Sequence, residues 1–279
     1  MKILITGGNG ILGRTLQRRL VGHELRVADL PDVDITRLAS FGTVMAVFSP
    51  DAVIHCAAMT AVDACETEPD KAFAINTIGS ANVAATCFRH GTRLIAISTD
   101  YVFCGGLDRP YHEWDSPAPR TVYGSSKLAG ENAIRQHCPD HAILRTAWLY
   151  GTGGPSFYHT MIKLGSLTGD PLKVVDDQIG NPTSTDALAG LIARLLETPA
   201  CGTFHASCEG DVTWFGFARE IFRLKSLSRP LIPCTTAAFP RPAPRPTNSR
   251  LEKRALRLHG LPPMPHWTDA LATFVRENP

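Results

Sequence analysis

No stretch of this 279-residue chain approaches the roughly 18 consecutive apolar residues that a membrane-spanning helix needs. The opening run, Met1-Lys2-Ile3-Leu4-Ile5-Thr6, is too short for a secretory leader and turns at once into Gly7-Gly8. An excess of one charge is missing as well. The 28 Lys and Arg face 26 Asp and Glu, a formal balance of +2. That balance gives no reason to expect nucleic acid or an anionic membrane as partner, although a local basic cluster can still hold a phosphate. The eight cysteines (Cys56, Cys65, Cys87, Cys104, Cys138, Cys201, Cys208 and Cys234) include no Cys-x-x-Cys pair. They read as reduced thiols of a cytoplasmic protein, and no metal site is expected. There is no internal repeat. With 44% hydrophobic and 19% charged residues, the composition is that of a globular chain and argues against disorder.

Short runs rich in Val, Ile and Leu alternate with helical patterns. Strands are predicted at residues 2–6, 25–29, 52–56, 93–98 and 142–146. They show little polar alternation, as strands covered on both faces do. Helical patterns cover residues 12–21, 36–48, 68–90 and 123–137. The alternation predicts an α/β fold, a Rossmann-like doubly wound parallel sheet. Gly151-Thr152-Gly153-Gly154-Pro155 breaks the pattern. Beyond it, helices are expected near 156–167, 187–197, 213–224 and 266–276, with strands at 172–175 and 202–206. Thr183-Ser184-Thr185-Asp186 resembles a capping box for the helix that follows. Six prolines between Ser228 and Asn248 require an extended or turned segment. We expect an NAD(P)-binding Rossmann domain over residues 1–150. Residues 151–279 form mainly a smaller substrate-binding lobe, with segments around 183–206 returning to the first domain.

Gly7-Gly8-Asn9-Gly10-Ile11-Leu12-Gly13 places Gly7, Gly10 and Gly13 between the first strand and the first helix. Glycines there let the chain turn tightly and let backbone amides approach a pyrophosphate at a helix N-terminus. The spacing alone also fits a ligand-free turn; the strand before it and the helix after it favour a dinucleotide. Asp29 ends the second strand, 19 positions after Gly10. An acid there can bond a ribose diol and would repel a 2′-phosphate, which favours NAD over NADP. Arg14, just past the loop, offers a phosphate the opposite attraction.

Tyr123-Gly124-Ser125-Ser126-Lys127 opens a helical pattern, and the i,i+4 spacing puts Tyr123 and Lys127 on one face. A phenol titrates near 10, and a neighbouring ammonium favours its ionised form. Thr99 ends the fourth strand, where ligands sit in doubly wound sheets, and its hydroxyl can donate to a substrate carbonyl. Tyr-x-x-x-Lys by itself also fits an exposed helix pair. Joined to the glycine loop and to Thr99, it points to proton transfer at a carbonyl.

These residues resemble the dTDP-4-dehydrorhamnose reductase family of extended short-chain dehydrogenases. The resemblance runs through residues 3–13, Ala57-Ala58-Met59-Thr60-Ala61-Val62-Asp63, Ser98-Thr99-Asp100-Tyr101-Val102-Phe103, residues 122–131, Arg145-Thr146-Ala147-Trp148-Leu149-Tyr150 and Arg245-Pro246-Thr247-Asn248-Ser249-Arg250-Leu251. It implies NAD(P)H-dependent reduction of the 4-keto group of a nucleotide-linked 6-deoxyhexose, in dTDP-L-rhamnose biosynthesis. It also implies that Tyr123 is the proton donor, Lys127 its electrostatic partner and Thr99 the group that orients the carbonyl. Gly10, Ile11 and Leu12 would meet the pyrophosphate, and Asp29, Asp34 and Ile35 the adenosine. Ala57, Ala58 and Met59 would line the cofactor groove. Asp100 and Trp148 would contact the sugar nucleotide, and Arg245 or Arg250 its diphosphate. Two departures matter. Asp100 is followed by Tyr101 where related dehydratases carry an Asp-Glu pair, which disfavours dehydration. Arg14-Thr15 stand where some members hold an acidic metal-bridging residue, so a monomer or a homodimer without that bridge is expected. The same fold also serves as a non-catalytic NAD(P)-binding regulatory subunit, and as sugar-nucleotide epimerases and other ketoreductases.

Overall fold

The computed structural model of the chain describes residues 1–278. Three strands with two helices between them come first: β1 (Lys2–Thr6), α1 (Ile11–Arg19), β2 (Glu24–Ala28), α2 (Leu38–Phe48) and β3 (Ala52–His55). There follow α3 (Val62–Thr67), α4 (Pro69–Phe73), a π-helical turn (Ala74–Gly79), α5 (Ser80–His90), β4 (Arg93–Thr99), α6 (Val122–His137) and β5 (His141–Thr146). The second part holds β6 (Leu149–Tyr150), α7 (Phe157–Gly165), β7 (Leu172–Val175), β8 (Ile179–Gly180), β9 (Thr183–Ser184) and α8 (Thr185–Leu196). It ends with β10 (Gly202–His205), β11 (Val212–Thr213), α9 (Trp214–Leu224), β12 (Leu231–Cys234), α10 (Arg254–Leu258) and α11 (Trp267–Glu277).

Six strands pair in parallel in the order β10-β5-β4-β3-β1-β2. All residues of β3 and β5 are buried, because helices cover both sheet faces; β2, at the edge, leaves Glu24 and Val27 exposed. One apolar layer joins Leu12 and Leu16 of α1, and Leu20 just after it, to Leu188, Ile192 and Leu195 of α8. The opposite layer joins Phe41 and Met45 of α2 to Val83 and Cys87 of α5 and Ile134 of α6. Each such fully buried side chain contributes about 1.5–3 kcal/mol. A third cluster, with Tyr150, Tyr158, Phe217, Leu271 and Phe274, holds α7, α9 and α11 together. From β1 the chain winds outward to β2, then returns to β3 on the other side of β1. The crevice beyond the carboxyl ends of β1 and β3 is thus a topological switch point.

Three segments differ from expectation. The helix predicted over 68–90 is interrupted by the π-turn, which aims Asn76 inward. Its amide donates to Met59 O (3.1 Å) and Ser126 Oγ (3.0 Å), and Asn76 Oδ1 accepts from Met59 N (2.8 Å). Ser184, rather than Thr183, caps α8, its hydroxyl accepting from Ala187 N at 3.1 Å. Inside the proline-rich segment, β12 pairs with β7 and carries Pro233, tolerated because this two-stranded pair has free edges. All eight cysteines are free. Among the described residues no helix is long and apolar enough to cross a membrane, and no cluster of His, Cys, Asp or Glu could hold a metal ion.

Candidate active site

Beyond the switch point lies a cavity of about 590 Å³. Gly7, Gly10, Ile11, Leu12 and Gly13 line one end. Gly7 has φ +66°, and a Cβ on it would lie 2.6 Å from Ala57 N, so the turn and the loop after β3 touch backbone to backbone. A Cβ on Gly13 would lie 2.5 Å from Gly7 O. Gly10 precedes α1 without any side-chain cap, which leaves the first-turn amides and the positive helix end turned toward the cavity. Gly13→Ala is expected to weaken nicotinamide dinucleotide binding roughly ten- to hundredfold, the scale of forcing a methyl into packed backbone. Fluorescence titration with NADH and NADPH measures it, and wild-type affinity in the variant would refute the packing argument.

Asp29, Asp34, Ile35, Ala57 and Ala58 also line this cavity. The Asp29 carboxylate accepts from Asn9 N and Leu30 N, both at 2.9 Å, which ties the glycine loop to the end of β2. Asp34 accepts from Thr36 N (2.9 Å) and Thr36 Oγ1 (2.7 Å), and these bonds hold it below its ordinary pKa. Met59, between Ala58 and Thr60, is anchored from behind. Asn76 holds both its amide and its carbonyl, its side chain packs with Cys65 and Tyr123, and it does not line the cavity; Thr60 does. Arg14 is turned aside too, its Nε donating to Asn9 O at 2.9 Å.

Thr99, Tyr123 and Lys127 meet on the opposite wall. Thr99 arrives on the end of β4, and Thr121 caps α6 so that Tyr123 and Lys127 face inward from its first turns. Thr99 Oγ1 donates to Asp100 Oδ1 at 3.0 Å and accepts from Tyr101 N. Burial pushes the Tyr123 phenol above its ordinary value, although hydrogen bonding with Thr99 opposes the rise. The phenol lowered by an ammonium, expected from the sequence, is not what this structure has. Burial dominates at the phenol, and Lys127 Nζ donates instead to Ile97 O at 2.8 Å. Burial lowers Lys127 to about 8, against the pull of Glu131. Burial raises Asp100 to about 7, and its Oδ2 has no hydrogen-bond partner.

A second cavity, about 910 Å³, adjoins the first. Thr60, Val62, Asp100, Tyr101 and Trp148 line both. Arg245 lines the second and pairs with Asp63 at 2.8 Å. Arg250 lines neither cavity. Its guanidinium binds Asn248 Oδ1 and Asp108 O, and it lies 3.5 Å from Asp211, bracing the loop at 105–109. Trp148 is not plain core, since it stands where the two cavities join. Sequence reasoning missed Ile97, Ser98, Thr146 and Ala147, which line the first cavity; the strand-end rule that selected Thr99 would have found them. Gln178, Trp214 and Arg241 of the second cavity carried no local signal.

Comparison with known proteins agrees with this geometry. A spore coat polysaccharide biosynthesis protein, SpsK, of Bacillus subtilis is 40% identical over 279 residues, 99% of this chain and 98% of its own. A dTDP-4-dehydrorhamnose reductase of Streptomyces griseus is 43% identical, covering 96% of this chain and 91% of that protein. The crystal structure of dTDP-4-dehydrorhamnose reductase from Bacillus anthracis in complex with NADP matches with a TM-score of 0.97 at 40% identity, covering 99% of both chains. One family model, the RmlD substrate binding domain, matches residues 1–278, and this chain belongs to that family.

Proposed function

We propose that this protein reduces the 4-keto group of a nucleotide-linked 6-deoxyhexose, dTDP-4-dehydrorhamnose or a close analogue, with NADH or NADPH as reductant. The observation that carries the proposal is the meeting of Thr99, Tyr123 and Lys127 on one wall, between a glycine-cradled groove and a second cavity large enough for a sugar nucleotide. The groove residues suit a dinucleotide: a glycine turn that a Cβ would fill, an uncapped helix start, and carboxylates at the far end. A reduced nicotinamide bound there supplies the hydride. Tyr123, held protonated by burial, gives its proton to the alkoxide oxygen that forms at carbon 4. Lys127 stabilises the phenolate left behind, and Thr99 orients the carbonyl oxygen. Arg245, which lines the second cavity together with Arg241, would meet the diphosphate. Residues 1–150 would hold the cofactor and most of 151–279 the sugar nucleotide, in a cytoplasmic monomer or homodimer.

The mechanism carries a pH signature. Lys127 is charged below about 8, whereas the phenol keeps its proton to higher pH. We expect kcat/KM for reduction to fall as pH rises through about 8. A profile flat through that region would separate Lys127 from the chemistry. The activity itself is tested by assaying 4-keto sugar nucleotides with NADH and NADPH and identifying the product by NMR. Asp29 favours NADH in that comparison. If neither reductant is oxidised with any 4-keto sugar nucleotide, the chain is a dinucleotide-binding protein without this activity.

A further inference from the structure

Trp148 has φ +48°. Bulky residues rarely adopt that left-handed backbone, and they keep it only where neighbours over-determine it. Three neighbours do so here. Its Nε1 donates to Ser249 Oγ at 3.0 Å, and Ser249 is tied in turn to Ile179 O through both its amide and its hydroxyl. Gly180 allows the indole its place, since a Cβ there would lie 2.6 Å from Trp148 Cε2. Trp214 stacks on it, with ring centroids 3.5 Å apart and planes 6° from parallel.

Trp214 reaches that position from another part of the chain, the first residue of α9. Its own orientation is specified by a relay of side chains. Trp214 Nε1 donates to Gln178 Oε1 (3.0 Å), Gln178 Nε2 to Thr236 Oγ1 (2.9 Å), and Thr236 Oγ1 to Asp177 Oδ1 (2.7 Å). Phe157 packs on its ring at 4.4 Å. Trp214 lines the second cavity only, whereas Trp148 lines both and shares the junction with Asp100.

We infer that Trp214 is a positioning residue for the sugar: by holding the Trp148 indole at the junction, it sets how the keto sugar is presented to Thr99 and Tyr123. Trp214 acts through Trp148, while Phe157, Met161 and Leu164 complete an apolar side of the same cavity. This inference rests on the reductase function proposed above.

The test uses Trp214→Leu, Trp214→Phe and Trp148→Phe in the full chain loaded with NADPH. Calorimetry with oxidised NADP in place of NADPH, so that the ligand is not reduced, measures affinity for the sugar nucleotide, and steady-state assays with NADPH separate KM from kcat. Trp214→Leu is expected to weaken sugar-nucleotide binding and raise KM about tenfold, the upper range for a single aromatic pair, with kcat changed less and NADPH affinity retained. Trp214→Phe keeps a flat ring and recovers most of the loss. The near-ultraviolet circular dichroism of the stacked indoles disappears in both phenylalanine variants, a signal that general destabilisation would not single out. Trp214→Leu with wild-type affinity and KM overturns the inference, as does full additivity of Trp214→Leu with Trp148→Phe. Failure of the wild-type protein to reduce any 4-keto sugar nucleotide is a different result. It removes the proposed function, while the calorimetry still decides whether Trp214 orients a bound sugar.

Discussion

Tyr123→Phe lowers turnover by about 10²–10⁴-fold and leaves dinucleotide affinity nearly unchanged. The change deletes one oxygen and keeps the ring, which packs edge-on against Tyr101 at 5.5 Å. The glycine turn, Asp29 and Lys127 remain as they are, so the groove still binds its ligand. What is lost is the proton source beside Thr99. Single-turnover measurements with pre-bound NADPH are the direct check, because they isolate the chemical step from binding and release. Turnover like that of the wild type would mean that another group protonates the product oxygen. Asp100 would be the first to examine, since its buried carboxyl titrates near 7 and has an unpartnered oxygen on the same wall.

Glu131→Ala is expected to destabilise the protein by about 3–5 kcal/mol, because it leaves a buried cation without its partner. Glu131 stands one turn after Lys127 and is 2% exposed. Its Oε1 accepts from Ser98 Oγ at 2.6 Å and Arg145 Nε at 2.9 Å; its Oε2 accepts from Arg145 Nη2 at 2.7 Å and Arg135 Nη2 at 2.6 Å. Arg145 is equally buried, and its guanidinium lies 5.0 Å from the Phe103 ring centre. Equilibrium denaturation measures the loss. A second arm replaces Arg145 by Met in the Glu131→Ala background, which removes the stranded charge and should recover part of the stability. The pH dependence follows the same bond set. Arg145 and Ser98 hold Glu131 below its ordinary pKa, despite the opposing effect of burial. Its contribution is therefore complete above the unfolded value and is lost as pH falls through the folded one. A Glu131→Ala protein as stable as the wild type would show that the buried pair adds nothing net.

Both expectations draw on residues with different legibility. Tyr123 and Lys127 were readable because i,i+4 spacing on a helix brings them together whatever the rest of the chain does. Thr99 was readable because strand ends in a doubly wound sheet face the ligand crevice. Glu131 sat inside a recognised motif, yet nothing local revealed that its partner is Arg145, on β5. Met59 and Arg250 show the same limit, since partners distant in sequence fix how each is held. Motif membership says that a residue matters, but not whether it faces the ligand or the scaffold. Asn76 turned Met59 away, and Asn248 and Asp108 claimed Arg250.

The chain by itself determined the alternation of the first five strands with helices, the glycine turn and the tyrosine–lysine face. Each of these depends on periodicity or on backbone freedom within a few residues. Only the tertiary structure decided that Arg241 and Arg245 line the second cavity, how the π-turn re-aims Asn76, and that Trp214 stacks on Trp148 at 3.5 Å. Those pairings are set by where distant segments pack, and no spacing along the sequence encodes such a meeting.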